Sequence, residues 1–159
     1  MVTIFLDVDG VLNCDSTKER CMGFLGIEPR FVQNLKYIVD MTNAQIVLTT
    51  TWKYGWEPVN KNLNDEWADY LDRALQEEGL EAIAKTEDDG YCRGAGIAEW
   101  LAANPAEAWI VLDDNFYRDF GKYDIQEHLV LTEFDEGLTK ELAEQAVNMI
   151  QEQLQEAKL

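Results

Sequence analysis

Short runs of apolar residues alternate along this chain with segments in which apolar residues recur every three or four positions. Runs of this length are typical of buried strands, and the recurring segments are typical of helices with one apolar face. Strands that alternate with helices favour a parallel sheet covered by helices, so the pattern predicts an α/β fold. The predicted strands cover residues 3–6, 45–49, 80–84, 109–112 and 128–132.

Four helices are predicted between and after these strands, and proline and glycine mark several of their ends. Pro29 suits the first turn of a helix, whereas Gly79 and Pro105 stop one. The predicted helices begin at Pro29, cover residues 65–78, cover residues 94–103, and begin near Thr139. The segments that follow strands over residues 13–28, 53–64 and 85–92 are the least regular, and a parallel sheet gathers its binding loops there.

The chain has 159 residues, which suffices for one domain with a substantial core. We therefore predict a single domain over residues 1–159. Its 13 Lys and Arg residues against 31 Asp and Glu residues give a formal charge of −18. Such a field repels phosphodiester backbones, so bulk nucleic-acid binding is not expected. A small phosphorylated substrate, or a nucleic-acid end reached through a local basic patch, remains compatible with this charge, which can also serve solubility alone.

The three cysteines show no metal-ligand spacing, and no basic segment at the N-terminus leads into a long apolar one. These features predict a cytoplasmic protein with reduced thiols. No apolar run approaches the roughly 20 residues that a bilayer-spanning helix needs, so no membrane association is expected. The sequence leaves the oligomeric state open.

Acidic residues follow two of the predicted strands. Asp7 and Asp9 come directly after the first strand and before Gly10, while Asp113 and Asp114 come directly after the fourth. The carboxyl ends of parallel strands meet at one edge of a sheet, where ligands bind. Carboxylates gathered there form an oxygen-rich site suited to a hard divalent cation and a phosphate.

Two other residues fall beside this edge. Thr50 follows the second predicted strand, and Arg93 stands at the start of the helix before the fourth. Each motif alone has a plain structural interpretation. An Asp-x-Asp-Gly segment is often a turn, paired aspartates can cap a helix, and threonine is common in strands. The order and placement of all of these residues together favour catalysis.

With this set of motifs the chain resembles the haloacid dehalogenase (HAD) superfamily of phosphohydrolases over nearly its whole length. The positions that match the four family motifs, in order, are Asp7 with Asp9, Thr50, Arg93, and Asp113 with Asp114. The surrounding residues Leu12-Asn13, Thr51-Trp52-Lys53 and Gly137-Leu138-Thr139 are similar to a small capless branch associated with RNA-repair and polynucleotide phosphatase proteins.

The resemblance implies a three-layer, Rossmann-like fold with a five-stranded parallel sheet. With the sheet strands numbered along the chain, the implied order is 5-4-1-2-3. Only about 40 residues separate the first two motifs, and they include a whole helix, so no large cap is expected there. The interval from residue 53 to residue 93 must hold a helix and a strand, which leaves space for a small lid at most.

The resemblance also implies a Mg²⁺-dependent phosphatase mechanism. Asp7 would attack phosphorus and form an aspartyl-phosphate, since a carboxylate needs no activating base at neutral pH. Asp9 would protonate the leaving oxygen and later deprotonate the attacking water. Mg²⁺ would be bound by Asp7, the backbone carbonyl of Asp9 and Asp113, with Asp114 in the same acidic set.

The phosphate would be held by a hydroxyl and a cation. Thr50 would donate its hydroxyl to a phosphate oxygen, and Arg93 would neutralise developing charge. Lys85 is the alternative for the second role, because lysine is the more common residue there in the family. The expected substrate is a phosphomonoester at a nucleotide or oligonucleotide terminus, reached through Lys53 and Arg93.

Two other functions compete with hydrolysis. A catalytically idle metal- and phosphate-binding module is disfavoured, because both Asp7 and Asp9 are present. A receiver-type signalling domain is disfavoured, because no isolated aspartate ends the third predicted strand. Among other candidates, His128 has a structural interpretation, and core packing is favoured over base stacking for the tryptophans Trp52, Trp56 and Trp67.

Overall fold

The computed structural model describes residues 1–159, and it contains all five predicted strands and all four predicted helices. In chain order the elements are β1 (Val2–Leu6), β2 (Arg20–Cys21), β3 (Phe24–Leu25), α1 (Pro29–Thr42), β4 (Gln45–Leu48), α2 (Glu66–Gln76), β5 (Ala82–Lys85), α3 (Arg93–Ala103), β6 (Ala108–Asp113), β7 (Leu129–Leu131) and α4 (Lys140–Glu156). Short 3-10 helices cover Thr51–Gly55, Lys61–Leu63, Gly121–Tyr123 and Ile125–His128. None of the helices has both the length and the apolar character needed to cross a bilayer.

Five strands form one parallel sheet in the order β5-β4-β1-β6-β7. The α/β fold with a five-stranded parallel sheet is therefore confirmed. When only these five strands are numbered along the chain, their order is the implied 5-4-1-2-3, read from the opposite edge. The whole-chain labels differ because the hairpin of β2 and β3, which the sequence pattern did not predict, takes up two numbers.

Alternate residues of the central strand β1 face opposite sides of the sheet, as the period of a strand requires. Ile4 and Leu6 belong to the larger core cluster, which includes buried residues of α1, α2 and α4. Phe5 packs in a second cluster with Ile97 of α3 and with Phe120. Helices therefore cover both faces of the sheet and make three layers.

The hairpin of β2 and β3 lies between β1 and α1. Its turn residues Met22 and Gly23 have φ angles of 52° and 85°, a combination typical of the tightest hairpin turns. The Tyr70 hydroxyl of α2 accepts a hydrogen bond from the Ile27 amide at 3.1 Å. A Cβ at Gly26 would lie 2.4 Å from that hydroxyl, so glycine is needed for this close contact. No other insertion follows β1, in agreement with the predicted absence of a large cap.

Candidate active site

The strand register brings two of the acidic motifs together. Leu6 of β1 pairs with Leu112 of β6, so Asp7 follows β1 at the level where Asp113 ends β6. The Asp7 amide donates to the Leu112 carbonyl at 3.0 Å, which extends the pairing by one residue. Side chains at the carboxyl ends of neighbouring strands therefore meet at the crevice edge, as the sequence predicted.

Three carboxylates gather at this edge. Asp7, Asp113 and Asp114 each offer one carboxylate oxygen within 4.8 Å of the others. Asp7 is 5% exposed and Asp113 is fully buried. A Cβ at Gly10 would lie 2.2 Å from Oδ2 of Asp114, and Gly10 has a φ of +80°. Only glycine therefore lets Asp114 approach the loop that carries Asp7.

Burial and mutual repulsion make the ionised forms of these carboxylates costly. Burial, followed by the charge of Asp113, raises the pKa of Asp7 well above its usual range. Burial raises the pKa of Asp113 to about 6, and it also raises the pKa of Asp114. Buried carboxylates of this kind are paired or bind metals in proteins. The oxygen-only donor set and its excess of negative charge fit a hard divalent cation.

Arg93 is the one cation inside this cluster. Its Nη1 lies 3.0 Å from Oδ1 of Asp7 and 2.7 Å from Oδ2 of Asp113. Its guanidinium carbon lies 4.6 Å from the centre of the Tyr117 ring. The Nε atom is buried and has no hydrogen-bond partner. A buried donor without a partner is costly, so an acceptor oxygen that reached this atom would remove that cost.

The backbone holds Arg93 in place from the start of α3. The carboxylate of Asp119 accepts hydrogen bonds from the amides of Gly94 at 3.0 Å and Ala95 at 2.8 Å. It thereby caps the helix, whereas the Cys92 side chain at the N-cap position makes no capping bond. Arg93 therefore extends from a fixed helix end towards Asp7.

Asp9 lies outside the three-carboxylate cluster and is exposed to solvent. Its Oδ1 accepts a hydrogen bond from Asn13 at 2.9 Å, and its Oδ2 accepts one from the Trp52 indole at 3.2 Å. Of the four residues predicted to hold a metal, three thus bring carboxylates together. The Asp9 backbone carbonyl, which was its expected ligand atom, accepts no backbone hydrogen bond.

Thr50 lies fully buried at the end of β4. It precedes the 3-10 helix Thr51–Gly55, and its hydroxyl oxygen accepts a hydrogen bond from the Trp52 amide at 3.3 Å. This bond uses a lone pair and leaves the hydroxyl proton available for another acceptor.

Lys85 and Lys53, which the sequence suggested as contacts of the substrate, donate hydrogen bonds to other protein groups instead. Lys85 Nζ donates to the backbone carbonyls of Lys53 at 3.1 Å and Trp56 at 2.8 Å. Lys53 Nζ donates to Thr86 Oγ1 at 3.0 Å and to Asp88 Oδ2 at 2.5 Å, and its side chain is 2% exposed. The geometry therefore does not support Lys85 as the phosphate-neutralising residue, nor a route to the substrate through Lys53.

Two buried residues that the sequence did not single out fix the loop after β1. The Asn13 amide group donates to Asp9 and also to the Gly26 carbonyl at 2.9 Å, while its Oδ1 accepts from the Gly10 amide at 2.8 Å. Thr132, after β7, donates its hydroxyl to the Gly10 carbonyl at 2.6 Å. Nothing in the sequence around Thr132 signals that it fixes this loop. Asn13, in contrast, belongs to the Leu12-Asn13 pair on which the family resemblance partly rests.

His128 lies away from the cluster. Its ring stacks on Trp109, with ring centres 3.6 Å apart, near the amino ends of β6 and β7. This edge is opposite to the one that carries the carboxylates. The position agrees with a structural interpretation of the histidine.

Comparison with known proteins agrees with the motifs and with the fold. A model of the family described as the HAD domain in Swiss Army Knife RNA repair proteins matches residues 3–143. The matched segment runs from β1 into α4 and contains Asp7, Asp9, Thr50, Arg93 and the Asp113-Asp114 pair. No curated protein and no solved structure matches the chain. Because the match covers most of the sequence, the chain belongs to the HAD-domain family of Swiss Army Knife RNA repair proteins.

Proposed function

We propose that the chain is a Mg²⁺-dependent phosphomonoester hydrolase that works through an aspartyl-phosphate on Asp7. The observation that carries this proposal is the division of labour among the carboxylates. Asp7 is buried with Asp113 and Asp114 beside the Arg93 guanidinium, while Asp9 is held separately and remains exposed. In this proposal Asp7 accepts the phosphoryl group, and Asp9 exchanges protons with solvent and with the leaving group.

In the first step a carboxylate oxygen of Asp7 forms a bond to phosphorus, and the bond between phosphorus and the ester oxygen breaks. Asp9 gives its proton to the departing oxygen, so the alcohol leaves neutral. In the second step a water molecule loses its proton to Asp9 and attacks phosphorus. Inorganic phosphate leaves, and the Asp7 carboxylate is regenerated.

Arg93 and Thr50 stabilise the transferring group in this mechanism. Arg93 already contacts Asp7, and its unpartnered Nε can donate to a phosphate oxygen. The Thr50 hydroxyl can donate to a second oxygen. Donors held in place before the reaction stabilise charge that develops in the transition state, and removal of one such donor typically costs about 100- to 1,000-fold in kcat.

Asp7, Asp113 and Asp114, together with the Asp9 backbone carbonyl, would hold Mg²⁺. The bound cation supplies positive charge where the phosphate dianion and the clustered carboxylates would otherwise repel one another. Arg93 alone cannot balance three carboxylates, which is why the donor set supports a metal. The ligand chemistry favours Mg²⁺, since this ion prefers carboxylate and carbonyl oxygens.

The proposed substrate is a phosphate at a nucleotide or nucleic-acid end. The family description names RNA repair proteins, and the absence of a large cap leaves the cleft open to a bulky substrate. The formal charge of −18 argues against binding along a polyanion, so a terminal phosphate fits better. We place this activity in one domain over residues 1–159 and in the cytoplasm, where the free thiols Cys14, Cys21 and Cys92 would stay reduced.

The test is phosphate release from 3′- and 5′-phosphorylated oligonucleotides, free nucleotides, sugar phosphates and phosphopeptides. We expect Mg²⁺-dependent release that a chelator and Asp7→Asn both abolish. Asp15→Asn, an exposed aspartate of the same loop, is the matched control and should retain activity. A preference for sugar phosphates by orders of magnitude would reject the nucleic-acid assignment. Binding of Mg²⁺ without turnover of any substrate would instead favour an idle metal- and phosphate-binding module.

A further inference from the structure

A cavity of about 500 Å³ opens at the carboxyl edge of the sheet and is lined largely by aromatic rings. The rings come from four separate parts of the chain. Phe24 belongs to the hairpin, Trp52 and Tyr54 to the 3-10 helix after β4, Trp67 to α2, and Phe134 to the segment after β7. A volume in this range is typical of small-ligand sites, and rings from distant segments make the walls part of the folded structure.

Three of the rings, Trp52, Trp67 and Phe24, form a series of contacts that begins at Asp9, which itself lines the cavity. The Trp52 indole donates to Asp9 at 3.2 Å. Trp52 packs edge-on against Trp67 with ring centres 4.9 Å apart, and Trp67 lies 5.6 Å from Phe24. The cavity therefore extends outward from the group proposed to protonate the leaving oxygen.

Several of these rings are poorly covered. Phe24 is 66% exposed, Tyr54 55% and Phe134 45%. Large exposed aromatic side chains around one concavity mark a binding site, because an apolar partner recovers the cost of their hydration. Core packing was predicted for the tryptophans, and it holds for Trp56, which is fully buried, and for Trp52, which is 6% exposed and belongs to the larger core cluster. Trp67 is partly buried against that cluster, so Trp52 and Trp67 serve the core and also line the cavity.

We propose that this cavity binds the nucleobase of the terminal nucleotide that carries the scissile phosphate. The inference rests on the proposed function, since it places the alcohol that leaves next to Asp9. Bases stack on aromatic rings whatever their identity, so the site would accept several bases. The phosphate would lie at Asp7, the sugar would pass Asp9 and Trp52, and the base would contact Trp67 and Phe24.

The position of the rings favours a base over a phenyl ester. In an aryl phosphate, such as a phosphotyrosine side chain, the ring is bonded directly to the ester oxygen. Here Trp67 and Phe24 follow Trp52 in the series of contacts that starts at Asp9, and the proposal assigns the sugar to the position beside Asp9 and the base to these two outer rings.

The charge of the lining indicates that one nucleotide enters. The charged residues in the lining are the carboxylates of Asp9 and Asp65, and no lysine or arginine lines the cavity. Such a lining accepts a neutral base but repels additional phosphates. An open cleft and an acidic protein are therefore compatible, because the protein engages a single terminal nucleotide and the rest of a longer strand stays outside the cavity.

The first experiment compares kcat/KM for a nucleoside monophosphate and for ribose phosphate with the phosphate at the same position. We expect the base to raise kcat/KM on the order of 10- to 100-fold, which is the usual range for base stacking. Phe24→Ala should reduce this preference severalfold, and Phe24→Trp should restore it. Phe24 is an exposed hairpin residue, so its replacement should leave the fold intact. Tyr37→Ala, on the surface of α1, is the matched control.

A second measurement needs neither metal nor turnover. Adenosine, which carries no phosphate, is titrated into metal-free protein while tryptophan fluorescence is followed. Saturable quenching that Phe24→Ala weakens and Tyr37→Ala does not would support the cavity as a base site. Absence of quenching, together with equal turnover of ribose phosphate and nucleotide, would overturn the inference and leave the phosphatase proposal standing.

The two proposals can also fail separately in the other direction. Quenching by adenosine without turnover of any phosphate ester would support the base site and reject the hydrolase. A phosphotyrosine peptide hydrolysed in preference to every nucleotide would support the hydrolase and overturn the base site.

Discussion

The Asn13 side-chain amide donates a hydrogen bond to the Asp9 carboxylate across 2.9 Å. Asn13 is fully buried, so its rotamer is fixed by packing and by its other two hydrogen bonds. The exposed Asp9 carboxylate is therefore oriented by a buried neighbour. A proton donor must be held close to the atom it protonates, which makes Asn13 a positioning residue for the proposed reaction.

Replacement of Asn13 tests this relationship. Asn13→Ala should lower kcat about tenfold or more, because Asp9 loses one of its two tethers. It should also lower the free energy of unfolding by about 1–3 kcal/mol, since buried partners lose their hydrogen bonds. Asn34→Ala is the control, because it removes a hydrogen bond from the Asn34 amide group of α1 to the Leu138 carbonyl and leaves both hydrogen-bond donors of Asp9 in place. A kcat that falls equally in both variants would contradict a specific role for Asn13.

Alanine substitutions at Gly10 and at Gly23 form a matched pair of variants that tests the close contact between Gly10 and Asp114. Both have positive φ angles, +80° and +85°, so alanine at either position should cost about 1–2 kcal/mol of backbone strain. A Cβ at Gly10 would also collide with Asp114, whereas a Cβ at Gly23 would meet nothing within 4 Å. We therefore expect Gly10→Ala, and not Gly23→Ala, to weaken Mg²⁺ binding in calorimetric titrations. Equal Mg²⁺ affinity in the two variants would exclude Asp114 from the metal site.

Ionisation of the Asp113 carboxyl should make the stability of the fold depend on pH when no cation is bound. Burial raises its pKa from 3.8 to about 6 in the folded chain. A carboxyl whose pKa is higher in the folded state stabilises the fold at pH values below its unfolded-state pKa. This contribution is lost as the pH rises through its folded-state pKa. Asp113→Asn has no such loss. In chelator, the melting temperature of Asp113→Asn should therefore rise relative to wild type as the pH is raised from about 4 to neutral.

Excess Mg²⁺ should reverse this order at neutral pH, because the wild-type carboxylate then serves as a ligand and the neutral amide of the variant would be a weaker one. Thermal unfolding of both proteins, with chelator and with Mg²⁺, measures the reversal. The same order of melting temperatures under both conditions would show that Asp113 does not bind the cation.

Arg93 is expected to affect both stability and rate. Arg93→Met leaves buried carboxylates without their cation, so the free energy of unfolding in chelator should fall by about 3–5 kcal/mol at neutral pH. The loss should be smaller at acidic pH, where Asp7 and Asp113 take up protons. Arg93→Lys should retain part of the activity, since a lysine keeps the charge but not the planar fork. Denaturant titrations and kcat measure these effects, with the exposed Arg118→Met as control.

The sheet and its helices could be predicted because their signals are local. Apolar runs of four or five residues and stripes of helical period depend only on neighbouring positions. The hairpin was missed because β2 and β3 have two residues each, which is too short for any period to register. Its turn at Met22 and Gly23 also lacks the asparagine or aspartate that usually signals such a turn.

The features of the candidate site also differ in whether local sequence patterns could predict them. The gathering of Asp7 and Asp113 follows from strand ends, so it could be predicted. The orientation of Asp9 depends on Trp52, which is distant in sequence, and no local pattern fixes that contact. Lysines are long and flexible, so the partners of Lys53 and Lys85 depend on which carbonyls and carboxylates the loops bring near them. Their roles are properties of the tertiary structure.

The nitrogen atom of Asn13 that holds Asp9 also donates to the Gly26 carbonyl at the base of the hairpin. One atom thus couples Asp9, the proposed acid/base group, to the segment that presents Phe24. If a substrate displaced the hairpin outward, the bond to Gly26 would be strained and the carboxylate of Asp9 would lose part of its restraint. In the proposed mechanism, substrate entry and the orientation of the proton donor would therefore be linked through the single side-chain amide of Asn13.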